Sequence, residues 1–166
     1  MSEVHKQADW QRETPRRIWD PSRRLLSSIR RYQKCKSKQS FFAQAMSKII
    51  VLEHIFWSVV TGADIPLNCQ LGGGLLLPHP NGVVIGPKAV VGKNCLIFQQ
   101  VTLGSRGEGA PVIGDHVDIG AGAKILGTIT VGDNAKIGAN SVVLKDVPAG
   151  KTVVGIPAKI LGDEAH

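Results

Sequence analysis

From residue 85 onward an aliphatic side chain recurs every six residues: Ile85, Val91, Ile97 and Leu103, then Ile113, Ile119, Ile125, Val131, Ile137 and Val143. Upstream, Ile65, Leu71, Leu77 and Val83 keep the same step in a register offset by two. Glycine often follows the aliphatic residue, as at Gly86, Gly92, Gly114, Gly120, Gly132 and Gly138. A small or β-branched residue usually fills the fifth place, from Ala89 and Cys95 to Ser141 and Val147. Such self-similarity has to be read before any single motif, because each unit buries its apolar side chain only by stacking on its neighbours. Each unit supplies a short strand and a turn, and coils stack about 4.8 Å apart through ladder hydrogen bonds. The chain is thereby held to a mainly β fold, a hexapeptide β-helix. Ser105–Pro111 (SRGEGAP) breaks the period and is expected to be extruded as a loop, a favoured place for function.

All 19 glycines lie at or after Gly62, whereas seven of the eight aromatic residues lie before it, Phe98 being the exception. Helices exclude glycine for entropic reasons and tightly turning β structure requires it, so the chain divides into a helical segment, 1–61, and the repeat, 62–166. Asp20-Pro21 reads as an N-cap followed by proline in the first turn of a helix running to about Lys34, and Ser40 is placed to cap a second. That second segment, Phe41 to Val60, is apolar at most positions but interrupted by Gln44, Lys48, Glu53 and His54, so its broad apolar surface is expected to pack against protein, with an interfacial membrane helix as the weaker reading.

With 166 residues, 43% hydrophobic, the chain is long enough for one sizeable core but not for several large domains. Its net charge of +7 is local. Between Arg12 and Lys38 ten basic residues face only Glu13 and Asp20, so this segment carries the whole excess. Cys35, Cys69 and Cys95 stand singly without CxxC spacing, which disfavours a disulfide framework or a cysteine zinc site and fits a reducing cytoplasm. Cys69 and Cys95 fall at fifth places and read as interior fillers, while Cys35 reads as incidental. The N-terminus lacks the apolar run of a secretory signal, and no stretch of about 18 uninterrupted apolar residues is present to span a bilayer.

Four pieces, DIPLN (64–68), LPHPNGVVIG (77–86), QQVTLG (99–104) and IGAGAKILG through IGANSVV (119–143), together with a closing VVGIPAKI, resemble the serine acetyltransferase group of left-handed hexapeptide-repeat acyltransferases. The resemblance implies an acetyl-CoA-dependent O-acetyltransferase without a metal, working as a trimer with cofactor grooves between subunits. It makes His79 the general base for the acceptor hydroxyl, a role suited to an imidazole that titrates near working pH. It makes Asp64 the carboxylate that orients the ring, on an adjacent coil. Gly104, Ala121 and Ala139 match small positions that let the pantetheine arm approach the backbone, and Lys136 and Lys159 are candidates for the nucleotide phosphates. Pro78, Gln99 and Arg106 are candidate acceptor contacts.

Two departures concern the acceptor. Pro78 stands where the family has an acidic residue before its histidine, and Gly109-Ala110 occupy the place of an Arg-His pair that binds the acceptor's carboxylate. Without a guanidinium clamp there, the alternative acceptor is a sugar hydroxyl in surface-polysaccharide biosynthesis, with Arg106 as a replacement clamp. Such an acceptor can be lipid-linked, and residues 12–38 would then hold a cytoplasmic enzyme at anionic headgroups, unless they form a solvated helix face or packing arm. Nucleic-acid binding is not expected, since no recognised binding fold accompanies the charge. A zinc-dependent γ-carbonic anhydrase needs three converging histidines, and the repeat offers His79 and His116, the latter at a solvent-facing turn.

Overall fold

The computed structural model describes residues 7–38, 40–105, 107 and 109–162. Helix α1 spans Pro21–Lys36, two residues beyond its expected end, and α2 spans Phe41–Thr61. Asp20 and Ser40 occupy the N-cap positions, but neither side chain makes a capping hydrogen bond. Asp20 instead accepts from the Arg16 backbone N–H at 3.0 Å and from Arg23 at 3.3 Å. At the other end of α2, Gly62 takes φ 65° and returns its N–H to Ser58 O at 2.8 Å, a left-handed cap that glycine adopts without strain. The expectation that α2 packs its apolar surface against protein holds for one stripe only. Ile50, His54, Trp57 and Thr61 are buried, whereas Phe41, Phe42, Ile49, Leu52, Phe56 and Val59 are exposed. A helix apolar on nearly every side has more surface than one antiparallel partner covers.

Beyond Gly62 the chain winds into about five turns of left-handed parallel β-helix with three sheets. Sheet I holds β2 (Val84–Ile85), β5 (Thr102–Gly104), β8 (Lys124–Leu126) and β11 (Val142–Val143). Sheet II holds β1 (Gln70–Leu71), β3 (Val90–Val91), β6 (Val112–Ile113) and β9 (Thr130–Val131). Sheet III holds β4 (Leu96–Ile97), β7 (Asp118–Ile119), β10 (Lys136–Ile137) and β12 (Thr152–Gly155), closed by an antiparallel β13 (Ala158–Ile160). The chain passes from sheet I to II to III and back. Each hexad sends two side chains inward, the strand aliphatic and the fifth-place residue, which is why Ile119, Ala123, Ile125 and Ala135 are all fully buried. The same rule buries Cys69 and Cys95.

Ladder partners show where the period fails. Val84 pairs with Thr102 and Lys124 with Val142, an 18-residue coil in each case, but Thr102 pairs with Lys124, 22 residues on. The four extra residues fall in the loop between β5 and β6. Asp64 pairs with Val84, 20 residues on, and Leu76 with Leu96. Here the two extra residues lie between Leu76 and Val84, in the corner Pro78–Asn81, and they produce the offset between the two aliphatic series.

Half of the basic segment is engaged in packing, Arg12, Arg30 and Lys36 against the first coils and Arg23 and Arg31 within the helical segment. Arg30 donates to both Glu13 carboxylate oxygens at 2.9 and 2.8 Å and to the carbonyls of Leu71 and Gly72 at 2.5 and 2.6 Å, and it lies over the Trp10 ring at 5.3 Å. Glu13 in turn accepts from the Leu75 backbone N–H at 2.9 Å. Arg12 donates to Asn94 O, Arg23 Nε to Arg12 O, Arg31 to Glu53, and Lys36 to Asn68. The packing-arm reading therefore accounts for these five cations. One apolar core runs from Leu25, Leu26 and Ile29 through Trp57 into the solenoid.

Candidate active site

The corners leading from sheet III into sheet I form a column: 78–82, 98–100, 120–122 and 138–140. Their backbones are joined directly, Gly82 N–H to Gly62 O, Gln100 N–H to Asn81 O, Gly122 N–H to Gln99 O and Asn140 N–H to Ala121 O, all within 2.8–2.9 Å. The column turns through left-handed residues, including Gln100 at φ 58° and Asn140 at φ 57°. His79 stands at its head in the expanded corner, exposed, with Pro78 exposed beside it. Below it come Gln99, then Ala121, then Ala139. At about 4.8 Å per coil, the line from His79 to Ala139 is about 14 Å long.

Asp64 reaches the same place by a different route. Its N–H donates to Val83 O at 2.8 Å and its carbonyl accepts from Ile85 N–H at 2.9 Å, which fixes it as the outermost rung of sheet I, three residues after the end of α2. Its side chain heads the outward column of that sheet, followed by Val84, Thr102 and Lys124. Since corner 78–82 stacks on Gly62, the fold brings Asp64 and His79 to one corner of neighbouring coils. Both are exposed in the single chain, and among the described residues neither side chain has a hydrogen bond or ion pair.

The groove positions lie where coils stack closely. Gly104 ends β5 at the far edge of sheet I, where a Cβ would stand 2.9 Å from Leu126 Cδ2. Ala121 and Ala139 follow Gly120 and Gly138 at stacked corners, and a Cβ on Gly120 would meet the Ala139 N at 2.6 Å. Lys136 is exposed on sheet III beside the Ala139 corner, and Lys159 is exposed on the β12–β13 hairpin. Gln99 Oε1 is buried without a hydrogen-bond partner among the described residues, so the corner below His79 offers an unused acceptor. Arg106 lies outside the described residues. Gly109 packs its Cα directly over Thr128, leaving no space for a side chain where the family's arginine or histidine would be.

Two features were not singled out from the sequence. Lys124 donates from Nζ to Gln100 O at 2.5 Å and Gly122 O at 3.1 Å, so a fixed cation lies along the corner column. Its outward place in a hexad was the available signal. His54 is buried on α2, its Nδ1 3.0 Å from Ser28 Oγ, and burial lowers its pKa below the ordinary value, with Ile65 and Asp64 opposing the shift. Ser28 Oγ also donates to Leu25 O at 2.6 Å. Nothing in the repeat pattern reports a buried helix histidine.

Other reactive groups are elsewhere. Burial pushes the thiols of Cys69 and Cys95 up to about 11, and these side chains face the interior. His116, at φ 57°, belongs to the corner column between sheets II and III with Asn94 and Asn134, away from His79. Among the described residues no three His, Cys, Asp or Glu side chains gather into a metal-binding group.

Residues 110–145 match the family model described as bacterial transferase hexapeptide (six repeats). The serine acetyltransferase of Synechococcus elongatus is 49% identical over 107 residues, 62% of this chain and 44% of that protein. A serine acetyltransferase from Neisseria gonorrhoeae, solved in complex with serine, superposes with a TM-score of 0.72 at 39% identity, covering 87% of this chain and 58% of that one. A serine acetyltransferase solved in complex with CoA gives a TM-score of 0.72 at 35% identity, covering 87% and 58%. The chain thus spans less than half of the curated relative and under two thirds of the solved chains.

Proposed function

We propose that this chain, whose helices and solenoid are similar to those of serine acetyltransferases, is an acetyl-CoA-dependent O-acetyltransferase acting on the hydroxyl of L-serine. The observation that carries the reading is the placement of His79: an exposed imidazole on the one corner lengthened by two residues, beside Asp64 and at the head of a column that narrows to alanines. Acetyl-CoA supplies the activated acyl group as a thioester. His79 takes the proton as the hydroxyl oxygen attacks that carbonyl, and gives it to the departing sulfur as the tetrahedral species collapses. Asp64 orients the ring and stabilises its protonated form.

The small corners at Ala121 and Ala139 let a thin arm lie against the backbone, with Gly104 across the face of sheet I. Lys136 and Lys159 meet the phosphates at the far end. Gln99 and Pro78 wall the acceptor site beside His79. Because Asp64 and His79 are open in one chain, a second subunit of a homotrimer closes the groove, as an excluded-water site requires. We place the reaction in the cytoplasm, where acetyl-CoA and the free thiols Cys35, Cys69 and Cys95 are compatible.

The filled space at Gly109 keeps a sugar hydroxyl as the second reading, since the carboxylate clamp must come from elsewhere. Thiol release from acetyl-CoA, measured with L-serine and with a panel of sugars, separates the two. Serine-dependent release that falls at least about 100-fold in His79→Ala, with CoA binding retained, supports the proposal. Release with a sugar and none with serine moves the acceptor to polysaccharide. Release unaffected by His79→Ala removes the assigned base.

A further inference from the structure

We infer that α2 lies along an anionic lipid surface, its apolar face at the headgroup boundary and the unpaired cations at its two ends on lipid phosphates. The helix is 21 residues and about 32 Å long, and its outward side is mostly apolar, interrupted by the exposed Gln44 and Lys48: Phe42 is 83% exposed, Leu52 68% and Val59 78%. At its C-terminal end Trp19, 64% exposed, stands edge-on to Trp57 at 5.6 Å, with Ile18 protruding beside it. Such an area is larger than scattered exposed residues produce and marks an interaction face.

Charge selects the occupant. Every acid in the helical segment from Arg12 to Thr61 is engaged: Glu13 with Arg30, Asp20 with Arg23 and Glu53 with Arg31. Arg16, Arg17, Lys34, Lys38 and Lys48 have no ion pair among the described residues. Arg16 and Arg17 adjoin Trp19 at one end of α2, while Lys34 and Lys38 lie at the end of α1 that meets its start. A second copy docked through this face would bring like charges together, whereas an anionic bilayer complements both the apolar strip and its cationic ends. The helix lies on the surface and does not cross it. Crossing would carry Lys48 and the Arg31–Glu53 pair into hydrocarbon and break the buried Ser28–His54 contact to α1.

The test uses the full chain and flotation with vesicles of phosphatidylcholine alone or mixed with phosphatidylglycerol at about 7:3. Binding to the mixed vesicles only is expected. Arg16→Glu with Arg17→Glu should weaken it by more than about 25-fold, at about fivefold per basic residue removed. Phe42→Ser with Leu52→Ser and Val59→Ser should weaken it by at least about 100-fold, with helical circular dichroism retained. If that triple variant does not fold, quenching of native tryptophan fluorescence by brominated acyl chains decides in its place, through Trp19. No binding to anionic vesicles, equal binding to neutral ones, or no quenching overturns the inference. So does an assembly in solution that the triple variant splits into smaller particles without any vesicle binding, which would make a second copy the occupant. The readout does not use acetyl transfer, so it stands or falls separately from the proposed reaction.

Discussion

Replacing Arg30 by methionine should loosen the whole N-terminal clasp, and the structure gives the size of the effect. The change removes two hydrogen bonds to the Glu13 carboxylate and two to the carbonyls of Leu71 and Gly72, while the Arg30 stem volume is kept. The Glu13 side chain is 6% exposed and Arg30 21%, so solvent screens the pair only in part. Glu13 would keep a single partner, the Leu75 N–H. A buried carboxylate left without its counterion costs about 3–5 kcal/mol, and partial exposure of the arginine places the expectation near 3. In a chain of this length that lowers the thermal midpoint by about 6–12 °C. Glu13→Gln alone retains the bond to Leu75 and should cost about 1–2 kcal/mol. In Arg30→Met/Glu13→Gln no charge is stranded, so a urea-unfolding double-mutant cycle should give a coupling near 2 kcal/mol. A coupling below about 0.5 kcal/mol would show that the pair is a surface decoration, and the assignment of these basic residues to packing would fail.

Three further outcomes follow from the same geometry. Ala121→Phe or Ala139→Phe fills the corner column and should raise KM for acetyl-CoA by about 30-fold with a smaller effect on kcat; an unchanged KM would move the cofactor off this corner. Gly109→Arg should destabilise by about 1–3 kcal/mol in chemical denaturation because Thr128 occupies the space, and Thr128→Gly should recover most of it. Burial lowers the His54 pKa, so the unfolded chain binds the proton more readily than the native one. Stability is then complete above the ordinary value of 6.5 and falls as pH drops below it, by up to about 1.4 kcal/mol per pH unit. His54→Asn, which keeps a donor toward Ser28, should flatten that dependence between pH 7.5 and 5.5, and an unaltered slope would assign it to another group.

The solenoid was legible because its rule is local: two inward places per hexad and a corner every six residues, so that Ile85 to Val143 could be assigned to the interior one by one. The helices were legible in extent but not in surroundings. An apolar helix reads alike whether protein or lipid covers it, and only the tertiary fold shows that α2 is buried along Ile50, His54, Trp57 and Thr61. The basic segment hid its structural use for a related reason. Arg30 reaches Glu13, Leu71 and Gly72 across a fold boundary, and no spacing encodes a contact between residues 13, 30 and 71. Asp64 and His79 were found by motif, yet the reason they meet, the stacking of corner 78–82 on Gly62, is tertiary.

Both long breaks in the period border the same face. The two-residue expansion at Pro78–Asn81 enters sheet I, and the four-residue expansion between β5 and β6 leaves it one coil further along, about 5 Å down the prism. On the rungs they border lie the outward residues Val84 and Thr102, with Asp64 on the rung above. A stacked repeat tolerates insertions at any corner, so nothing in its stability requires two of them to frame one face. Ladder bonding spaces the coils rigidly, so the described residues of the two loops flank that face as walls, His79 on one and Gly109 on the other. The acceptor should therefore lie on sheet I between those walls, and the arm that delivers the acyl group should come along the alanine corners. Enlarging Thr102 to Phe tests this placement: it should raise KM for the acceptor and leave KM for acetyl-CoA within about twofold. The opposite pattern, a rise for acetyl-CoA alone, would put the acyl donor on that face.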